Sequence, residues 1–147
     1  MRVRLALTVL ALGAGFAVAA WAATDPIQAR RDIMKNNAQA AKTAFTMVEG
    51  KIPYDANKAA AAMQSLQDDM AKLPGLFPEG SDKGKTQAAP AIWQNMEDFK
   101  AHATKLAADA KLAEGAAPGG LDAFKAAVGA VGQDCNSCHE KYRLRRQ

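Results

Sequence analysis

Residues 121–142, LDAFKAAVGAVGQDCNSCHEKY, are the most informative stretch of this 147-residue chain. The apolar side chains within it recur at steps of three and four residues, which is the spacing of one face of an α-helix. The residues on this face are Leu121, Phe124, Val128, Val131, Cys135, Cys138 and Tyr142. The pattern predicts a helix that begins at Leu121 and carries both cysteines of the chain on its buried side.

The same periodicity predicts a first helix over residues 25–48 and a second over about 56–73. Asp25 followed by Pro26 is a favourable N-cap and first-turn pair, and Asp55 caps the second helix. The predicted buried face of the first helix comprises Ile27, Met34, Ala38, Ala41, Phe45 and Val48. The predicted buried face of the second comprises Ala59, Met63, Leu66, Met70 and Leu73.

A third helix is predicted to open at Pro90 and to end in the glycine-rich segment 115–120. Its buried face comprises Ile92, Met96, Phe99, Ala103, Leu106, Ala110 and Ala113. The long connection 74–90 contains one large apolar pair, Leu76 and Phe77, which we expect to tuck under the loop. Four amphipathic helices without an alternating strand pattern predict an all-α protein, an antiparallel four-helix bundle.

The N-terminus has the pattern of an export signal. A basic start at Arg2 and Arg4 precedes an apolar run over residues 5–20, and the triplet Ala20-Trp21-Ala22 supplies a cleavage site. A membrane anchor is the alternative, but the run is near the lower length limit for a spanning helix and contains two glycines. We therefore expect a signal peptide over residues 1–22, a bundle domain over 23–147 and a periplasmic location.

Size and charge exclude several classes of function. A chain of this length is one domain, so a large multidomain enzyme is excluded. The formal net charge of +4 falls to +2 without the signal, because Arg2 and Arg4 leave and no acid does, and this argues against nucleic-acid binding. One basic cluster stands at the C-terminus, formed by Lys141, Arg143, Arg145 and Arg146. It is either a solvated tail or a surface that steers an acidic partner.

The pentapeptide Cys135-Asn136-Ser137-Cys138-His139 has the C-x-x-C-H pattern. Residues three and four apart lie on one side of a helix, so both sulfurs and the imidazole point the same way. Two thiols in this position can add to the vinyl groups of a haem while the histidine nitrogen binds its iron. The pattern therefore predicts covalent attachment of one haem c.

Three other interpretations compete with haem attachment. A disulfide between Cys135 and Cys138 requires distorted geometry inside a regular helix. A thiol-redox site, as in a thiol oxidoreductase, normally begins a helix after a strand, whereas this motif lies late in the last helix. A zinc site needs more ligands, and His102 is the one other histidine.

The chain resembles class II of the c-type cytochromes, the cytochrome c′ group and its low-spin relatives. The resemblance rests first on the C-x-x-C-H motif at the C-terminal end of an exported helical domain. Supporting matches lie throughout the mature chain, at residues 30–35, 53–55, 73–78, 90–93 and 135–143. The family fold implied is a four-helix bundle with one covalent haem c.

The resemblance also implies roles for individual residues. His139 would be the proximal ligand of iron, with Cys135 and Cys138 as the thioether attachments. Arg143 matches a basic residue on the proximal side, and Arg30 matches an arginine near a haem propionate. Trp93 lies beside the face of the third helix and is a candidate neighbour of the haem edge, or a plain boundary tryptophan.

Met34 occupies the family position that faces the distal side of the iron. Where this residue is Leu or Phe, the iron is five-coordinate and binds nitric oxide or carbon monoxide. Where it is Met followed by Lys, as in Met34-Lys35 here, the thioether can close the sixth position and give a low-spin electron carrier. Met34 on an apolar face can equally be a core residue, and we read His102 as a boundary or surface histidine.

The expected function is therefore one-electron transfer by a periplasmic haem protein that is not an enzyme. Its partners would be redox donor and acceptor proteins, or small gas ligands in the five-coordinate alternative. Relatives often form homodimers through their first two helices, so a homodimer is a candidate assembly. A thiol oxidoreductase using Cys135 and Cys138 is the alternative outside haem proteins.

Overall fold

The computed structural model describes residues 25–145, so the predicted signal segment 1–22 lies outside the described residues. Five α-helices and two short 3-10 turns make up this part of the chain, and no strand occurs within it. The helices are α1 (Pro26–Val48), α2 (Ala56–Lys72), α3 (Ala91–Gln94), α4 (Met96–Ala116) and α5 (Leu121–Tyr142), and the 3-10 turns are Leu73–Leu76 and Ala117–Gly119. The all-α prediction is confirmed.

Both predicted N-caps are present. Oδ1 of Asp25 accepts the backbone N–H of Ile27 at 2.9 Å, and Oδ1 of Asp55 accepts that of Lys58 at 3.0 Å. Each bond satisfies an N–H that has no partner inside the helix, which is why the two helices begin where the sequence predicts.

The predicted third helix is interrupted at Asn95. The backbone of Asn95 (φ −136°, ψ 49°) leaves the helical region and separates α3 from α4. Its side-chain amide donates to the carbonyl of Ala91 at 3.3 Å. Asparagine side chains compete in this way for backbone partners, and this accounts for a break that apolar spacing does not reveal.

Contacts at the two ends establish the topology. At one end, Arg30 of α1 bonds to Ser81 of the long loop, and Tyr142 of α5 reaches Asp98 of α4. At the other end, the hydroxyl of Tyr54 before α2 donates to the carbonyl of Ala117 after α4 at 2.7 Å. The four long helices therefore alternate in direction, as predicted for an antiparallel bundle.

The predicted buried faces of α2 and α4 are confirmed apart from the half-buried Met96, and the prediction for α1 is wrong. The buried residues of α1 are Arg30, Ile33, Ala40, Ala44 and Met47. The predicted face is rotated from these by about 100° around the helix, at 100° per residue. It is mostly half-buried, and Ala38 is exposed. Because α1 has apolar and small residues on two adjacent faces, only packing decides which face is covered.

The long loop closes over its aromatic residue as expected. Phe77 is buried, with its ring centroid 4.7 Å from that of Phe99 and 5.6 Å from that of Trp93. Leu76 is half-buried against the same cluster. Within residues 25–145, no helix is long and apolar enough to cross a membrane.

Candidate functional site

The last three turns of α5 carry the C-x-x-C-H motif at the edge of the core. Cys135 and Cys138 have free thiols and are half-buried, so they lie on the predicted side of α5 but are only partly covered there. They pack against the core from its boundary, and His139 is exposed. Between Val131 and Tyr142, no apolar residue of α5 is completely covered by protein.

The seam between α1 and α5 places His139 opposite α1. A Cβ atom on Gly132 would lie only 3.1 Å from Cζ of Phe45, so the two helices approach closely there. His139 follows Gly132 by seven residues, which is two turns, and therefore faces the same seam. Met34 precedes Phe45 by eleven residues, which is three turns, so it also lies on the seam side of α1.

Beyond this contact, towards its C-terminal end, α5 borders a cleft. The cleft has a volume of about 430 Å³ and is lined by Asn136, His139, Glu140, Arg143, Leu144 and Arg145. Met34 and His139 lie on neighbouring antiparallel helices, displaced from the Gly132 contact towards the same end of the bundle. The imidazole of His139 is accessible and borders open space.

The two thiols are poorly suited to thiol–disulfide exchange in this state. Burial raises the pKa of Cys135, and the negative charge of Asp134 adds to the effect. Burial, Cys135 and Asp98 raise the pKa of Cys138 to about 11. Reactive C-x-x-C thiols instead have a lowered pKa, because the thiolate is the nucleophile. The environment therefore argues against the thiol oxidoreductase alternative.

The imidazole of His139 is biased towards its neutral form. Partial burial lowers its pKa, and the positive charge of Arg143 lowers it further. A neutral imidazole has a free lone pair, which is the form that binds a metal ion. Arg143 is exposed, and its Nη2 donates to Oε1 of Gln87 at 3.3 Å.

Arg30 is a buried cation whose partners are neutral. Only 5% of the residue is exposed, and its guanidinium donates to Oγ of Ser81 at 3.2 Å and to the Ser81 carbonyl at 2.7 Å. It also lies 4.5 Å from the ring centroid of Phe77. Within residues 25–145, no carboxylate lies within 4.0 Å of it, and burial lowers its pKa. The Ser81 and Phe77 contacts join distant parts of the chain and have no signal in the local sequence.

Trp93 and His102 both lie at the boundary of the core. Nε1 of Trp93 donates to the carbonyl of Pro78 at 3.2 Å, so this side chain helps to fix the loop over Phe77. His102 has 24% of its side chain exposed, with Nε2 at 3.5 Å from Oδ2 of Asp98. This partial exposure agrees with the prediction that His102 is a boundary or surface histidine. In the described part of the chain, no group of three or more His, Cys, Asp or Glu side chains is arranged to hold a metal ion.

The end of α5 is tied to the rest of the molecule by a cluster that sequence reasoning missed. The N–H of Ala89 donates to the carbonyl of Tyr142 at 2.9 Å, and that of Leu144 donates to Gln87 at 2.8 Å. Lys141 Nζ lies 2.8 Å from Oδ2 of Asp98, which also accepts the Tyr142 hydroxyl. These bonds hold the last turn of α5, directly after His139, against α4 and the segment 87–89.

Known proteins similar to this chain match it over the whole bundle. Residues 25–143 match the family model described as Cytochrome C′. A cytochrome c-556 of Agrobacterium tumefaciens is 36% identical over 120 residues, which cover 82% of this chain and 98% of that protein. A cytochrome c′ of Rhodopseudomonas palustris is 36% identical over 149 residues, 99% of each chain. A solved structure of R. palustris cytochrome c′ superimposes with a TM-score of 0.79 at 33% identity, covering 85% of this chain and all of that one.

Proposed function

Because this chain belongs to the cytochrome c′ family of electron-transfer haem proteins, we propose that Cys135 and Cys138 bind its haem and that His139 is the proximal ligand. Proteins of this family carry one covalently attached haem c. Met34 is the distal ligand in this proposal, and the protein is a periplasmic one-electron carrier rather than an enzyme. The observation that carries the proposal is the close approach of Phe45 and Gly132, from which helix spacing directs Met34 and His139 towards one seam.

The C-x-x-C-H motif on α5 is suited to haem attachment by the spacing of its residues and by the partial exposure of its side chains. Both thiols are half-buried and unpaired by a disulfide, so each is available to form a thioether bond. His139 borders a cleft of about 430 Å³. A fully buried motif would have no room for a planar group beside it.

The buried side chain of Arg30 is also suited to binding a haem. The buried guanidinium has no carboxylate within 4.0 Å, and Asp25 offsets its charge only from a longer distance, so its burial is costly. A haem propionate is an anion that would offset this charge with charge-assisted hydrogen bonds. Arg30 precedes Met34 by one turn and lies towards the same end of the bundle as His139. Trp93 also lies in this environment, in edge-to-face contact with Phe77 and with its ring centroid 5.8 Å from the guanidinium of Arg30.

We assign Met34 as the distal ligand because its side chain lies on the side of α1 that faces α5 and is only half-buried. Its side chain is half-buried at the edge of the core, on the face that the Phe45 contact directs towards α5. A core methionine would be expected on the covered face with Ile33 and Met47. A soft thioether is a known ligand of haem iron and raises its reduction potential.

In this mechanism the haem supplies the redox chemistry, and the protein holds the ligand and excludes water. When bound, haem c supplies an iron centre that cycles between the ferric and ferrous states by one electron. The chain holds His139 at the end of a helix that is tied down at Tyr142. Phe124, Val128 and Val131 are at most 1% exposed, so the bundle beside the attachment site excludes water. A rigid, dry surrounding limits the rearrangement that accompanies a change of charge.

Optical spectroscopy tests the proposed ligand set. The full chain is produced in a host that attaches haem c, and ferric and ferrous spectra are recorded with and without carbon monoxide. We expect a low-spin spectrum with a thioether-to-iron charge-transfer band that carbon monoxide does not change. Met34→Leu should become high-spin and sensitive to carbon monoxide while it keeps its covalent haem. Met96→Leu is the matched control, because Met96 is also half-buried but begins α4.

Other outcomes identify the alternatives. A high-spin wild-type spectrum that shifts with carbon monoxide would make Met34 a steric guard and gas binding the function. Mass spectrometry of the denatured protein should show a covalent haem that is lost when Cys135 and Cys138 are both replaced by Ala. If wild-type protein carries no covalent haem, the proposal fails and the thiol alternative takes its place.

The periplasmic location depends on the predicted signal peptide, residues 1–22. Cleavage after Ala22 would leave a mature chain that starts at Ala23, and intact mass measurement of the exported protein checks this. Retention of residues 1–22 in a membrane fraction would instead identify an anchor.

A homodimer is proposed through the outer sides of α1 and α2. A shallow groove of about 420 Å³ runs there, lined by Gln39, Ala40, Thr43, Lys58, Ala61, Ala62 and Ser65. Small side chains allow helices of a second copy to approach closely. Light scattering should give a dimer for the wild type and a monomer for Ala61→Glu, since Ala61 is exposed in the single chain.

A further inference from the structure

Three buried side-chain oxygens have no hydrogen-bond partner among residues 25–145: Oδ1 of Asn37, Oδ2 of Asp69 and Oδ2 of Asp134. A buried polar atom without a partner is costly, and two of the three are compensated in another way. The second carboxylate oxygen of Asp134 lies 2.7 Å from Nζ of Lys105. Burial raises the pKa of Asp69, so its carboxyl can take up a proton. The neutral amide of Asn37 has neither a charged partner nor a proton to gain.

Asn37 occupies a position on the covered face of α1 that would ordinarily be apolar. The five covered residues of this helix follow one another at steps of three, seven, four and three, and they are Arg30, Ile33, Ala40, Ala44 and Met47. Asn37 divides the step of seven into four and three, so it completes the repeat of this face. The residue as a whole is nevertheless only half-buried. An amide at such a position calls for a specific explanation.

Met34 is the neighbour of Asn37 one turn earlier on α1. Asn37 follows it by three residues, so the two side chains are about 60° apart around the helix. The Cα–Cβ bonds of a helix tilt towards its N-terminus, and the side chain of Asn37 therefore leans towards the turn that carries Met34. Met34 is also half-buried. The amide thus stands beside the candidate distal ligand, between Met34 and Ile33 around the helix.

The two side chains are chemically complementary. A thioether sulfur has two lone pairs, and coordination to iron uses one of them. The other lone pair can accept a weak hydrogen bond. An amide that turns about its Cβ–Cγ bond presents either its oxygen or its NH2 group to the same neighbour. Asn37 can therefore act as a donor towards the sulfur of Met34.

We propose that the side-chain N–H of Asn37 donates a hydrogen bond to the free lone pair of the Met34 sulfur when haem is bound. The inference rests on the proposed function, because it requires Met34 as the distal ligand. Asn37 is then a positioning residue, since it acts on the iron through Met34. The bond restricts the orientation of the thioether and withdraws electron density from its sulfur. Both effects favour ferrous over ferric iron and raise the reduction potential.

A structural role for Asn37 predicts a different result. A polar residue at a core position can fix the register of packed helices at a cost in stability. Replacement of Asn37 by an apolar residue would then change the stability or the packing of α1 and leave the reduction potential as it is. Measurements at the haem therefore distinguish the two roles.

The main test compares Asn37→Leu with Asn36→Leu in the haem-loaded full chain. The control removes the same amide one residue earlier, where the side chain is exposed and points about 100° away. Mediated redox titration should give a lower potential for Asn37→Leu, equal to a roughly fivefold shift of the equilibrium towards ferric iron, which is the size of one net hydrogen bond. Asn36→Leu should keep the wild-type potential. Asn37→Gln keeps the donor and should recover part of the shift.

NMR spectroscopy of the reduced, isotope-labelled protein detects the position of the amide directly. The ring current of a haem displaces the signals of protons held beside it. We expect the side-chain amide protons of Asn37 to lie far from the usual range of asparagine. These signals should be absent from Asn37→Leu and unchanged in Asn36→Leu. Because the wild type supplies the shifted signal, this readout does not depend on the folding of a variant.

The outcomes separate this inference from the function on which it rests. Equal potentials in the two leucine variants, or ordinary amide shifts for Asn37 in the wild type, would overturn the hydrogen bond. A low-spin wild-type spectrum with its thioether-to-iron band would then still support Met34 as the ligand. A high-spin wild-type spectrum would overturn the assignment of Met34 and this bond together.

Discussion

The hydroxyl of Tyr142 donates a hydrogen bond to Oδ2 of Asp98, although the two residues are 44 positions apart. Tyr142 is 3% exposed and lies three residues after His139, while Asp98 stands in the first turn of α4. The same carboxylate oxygen meets Lys141 at 2.8 Å. The orientation of the last turn of α5, which carries the candidate iron ligand, therefore depends on a bond to another helix.

Tyr142→Phe should destabilise the holoprotein by about 1.5–3 kcal/mol, because it removes a hydrogen bond to a charged group. Urea denaturation measures the loss. Tyr54→Phe is the matched control, since Tyr54 bonds to the carbonyl of Ala117 at the other end of the bundle. Both variants should lose stability, but only Tyr142→Phe should shift the haem spectrum or its reduction potential. An identical spectral response in both would contradict a role for Tyr142 in positioning His139.

Stability should fall at low pH through Asp98. The hydrogen bonds from Lys141 and Tyr142 hold the pKa of Asp98 below its usual value, so the folded state favours the ionised carboxylate. Its contribution is fully present above pH ~4, the unfolded value, and is lost as the pH falls through the folded value. Denaturation at several pH values should show wild type and Asp98→Asn converging below pH ~4. The neighbouring variant Glu97→Gln should stay within ~0.5 kcal/mol of wild type, and parallel curves for wild type and Asp98→Asn would exclude this linkage.

Gly132→Ala should destabilise the bundle by about 1–3 kcal/mol, as overpacking does elsewhere. The added Cβ would lie 3.1 Å from the Phe45 ring, so one helix must move. Gly129→Ala provides the control three residues earlier, where nothing lies within 4 Å, and it should stabilise α5 by ~0.5–1 kcal/mol. Phe45→Leu in the Gly132→Ala background should restore part of the loss. Equal thermal stability of the two alanine variants would show that the seam is not tightly packed.

Arg30→Met should lower the reduction potential by on the order of 40 mV, since removal of a cation near the haem is expected to cost the ferrous state ~1 kcal/mol. Arg31→Met changes the same charge at an exposed neighbouring position, where solvent screens it, and should shift the potential much less. Mediated redox titration of both variants makes the comparison. Equal shifts in the two would argue against an interaction of Arg30 with a propionate.

Some errors in the predicted fold have identifiable causes. The faces of α2 and α4 were predicted almost completely, because each has one dominant stripe of apolar residues with polar residues opposite. The face of α1 was misplaced, since Ile33 and Met47 compete with Met34 and Phe45 on adjacent sides of an alanine-rich helix. The error matters for the candidate haem site, because the face of α1 that was predicted to be buried, with Met34 and Phe45, is the face directed towards α5.

Local spacing in the sequence is enough to predict the four long helices, the two aspartate caps and the grouping of Cys135, Cys138 and His139, because each depends on residues within a few positions of one another. The packed structure is needed to show the burial of Arg30 against Ser81 and the bond between Tyr142 and Asp98, whereas the break at Asn95 is a local side-chain effect that apolar spacing does not detect. Ser81 is 51 residues from Arg30, and local spacing carries no information across such a separation. Only when α1 and α5 pack at Phe45 and Gly132 does the direction in which Met34 and His139 face become defined.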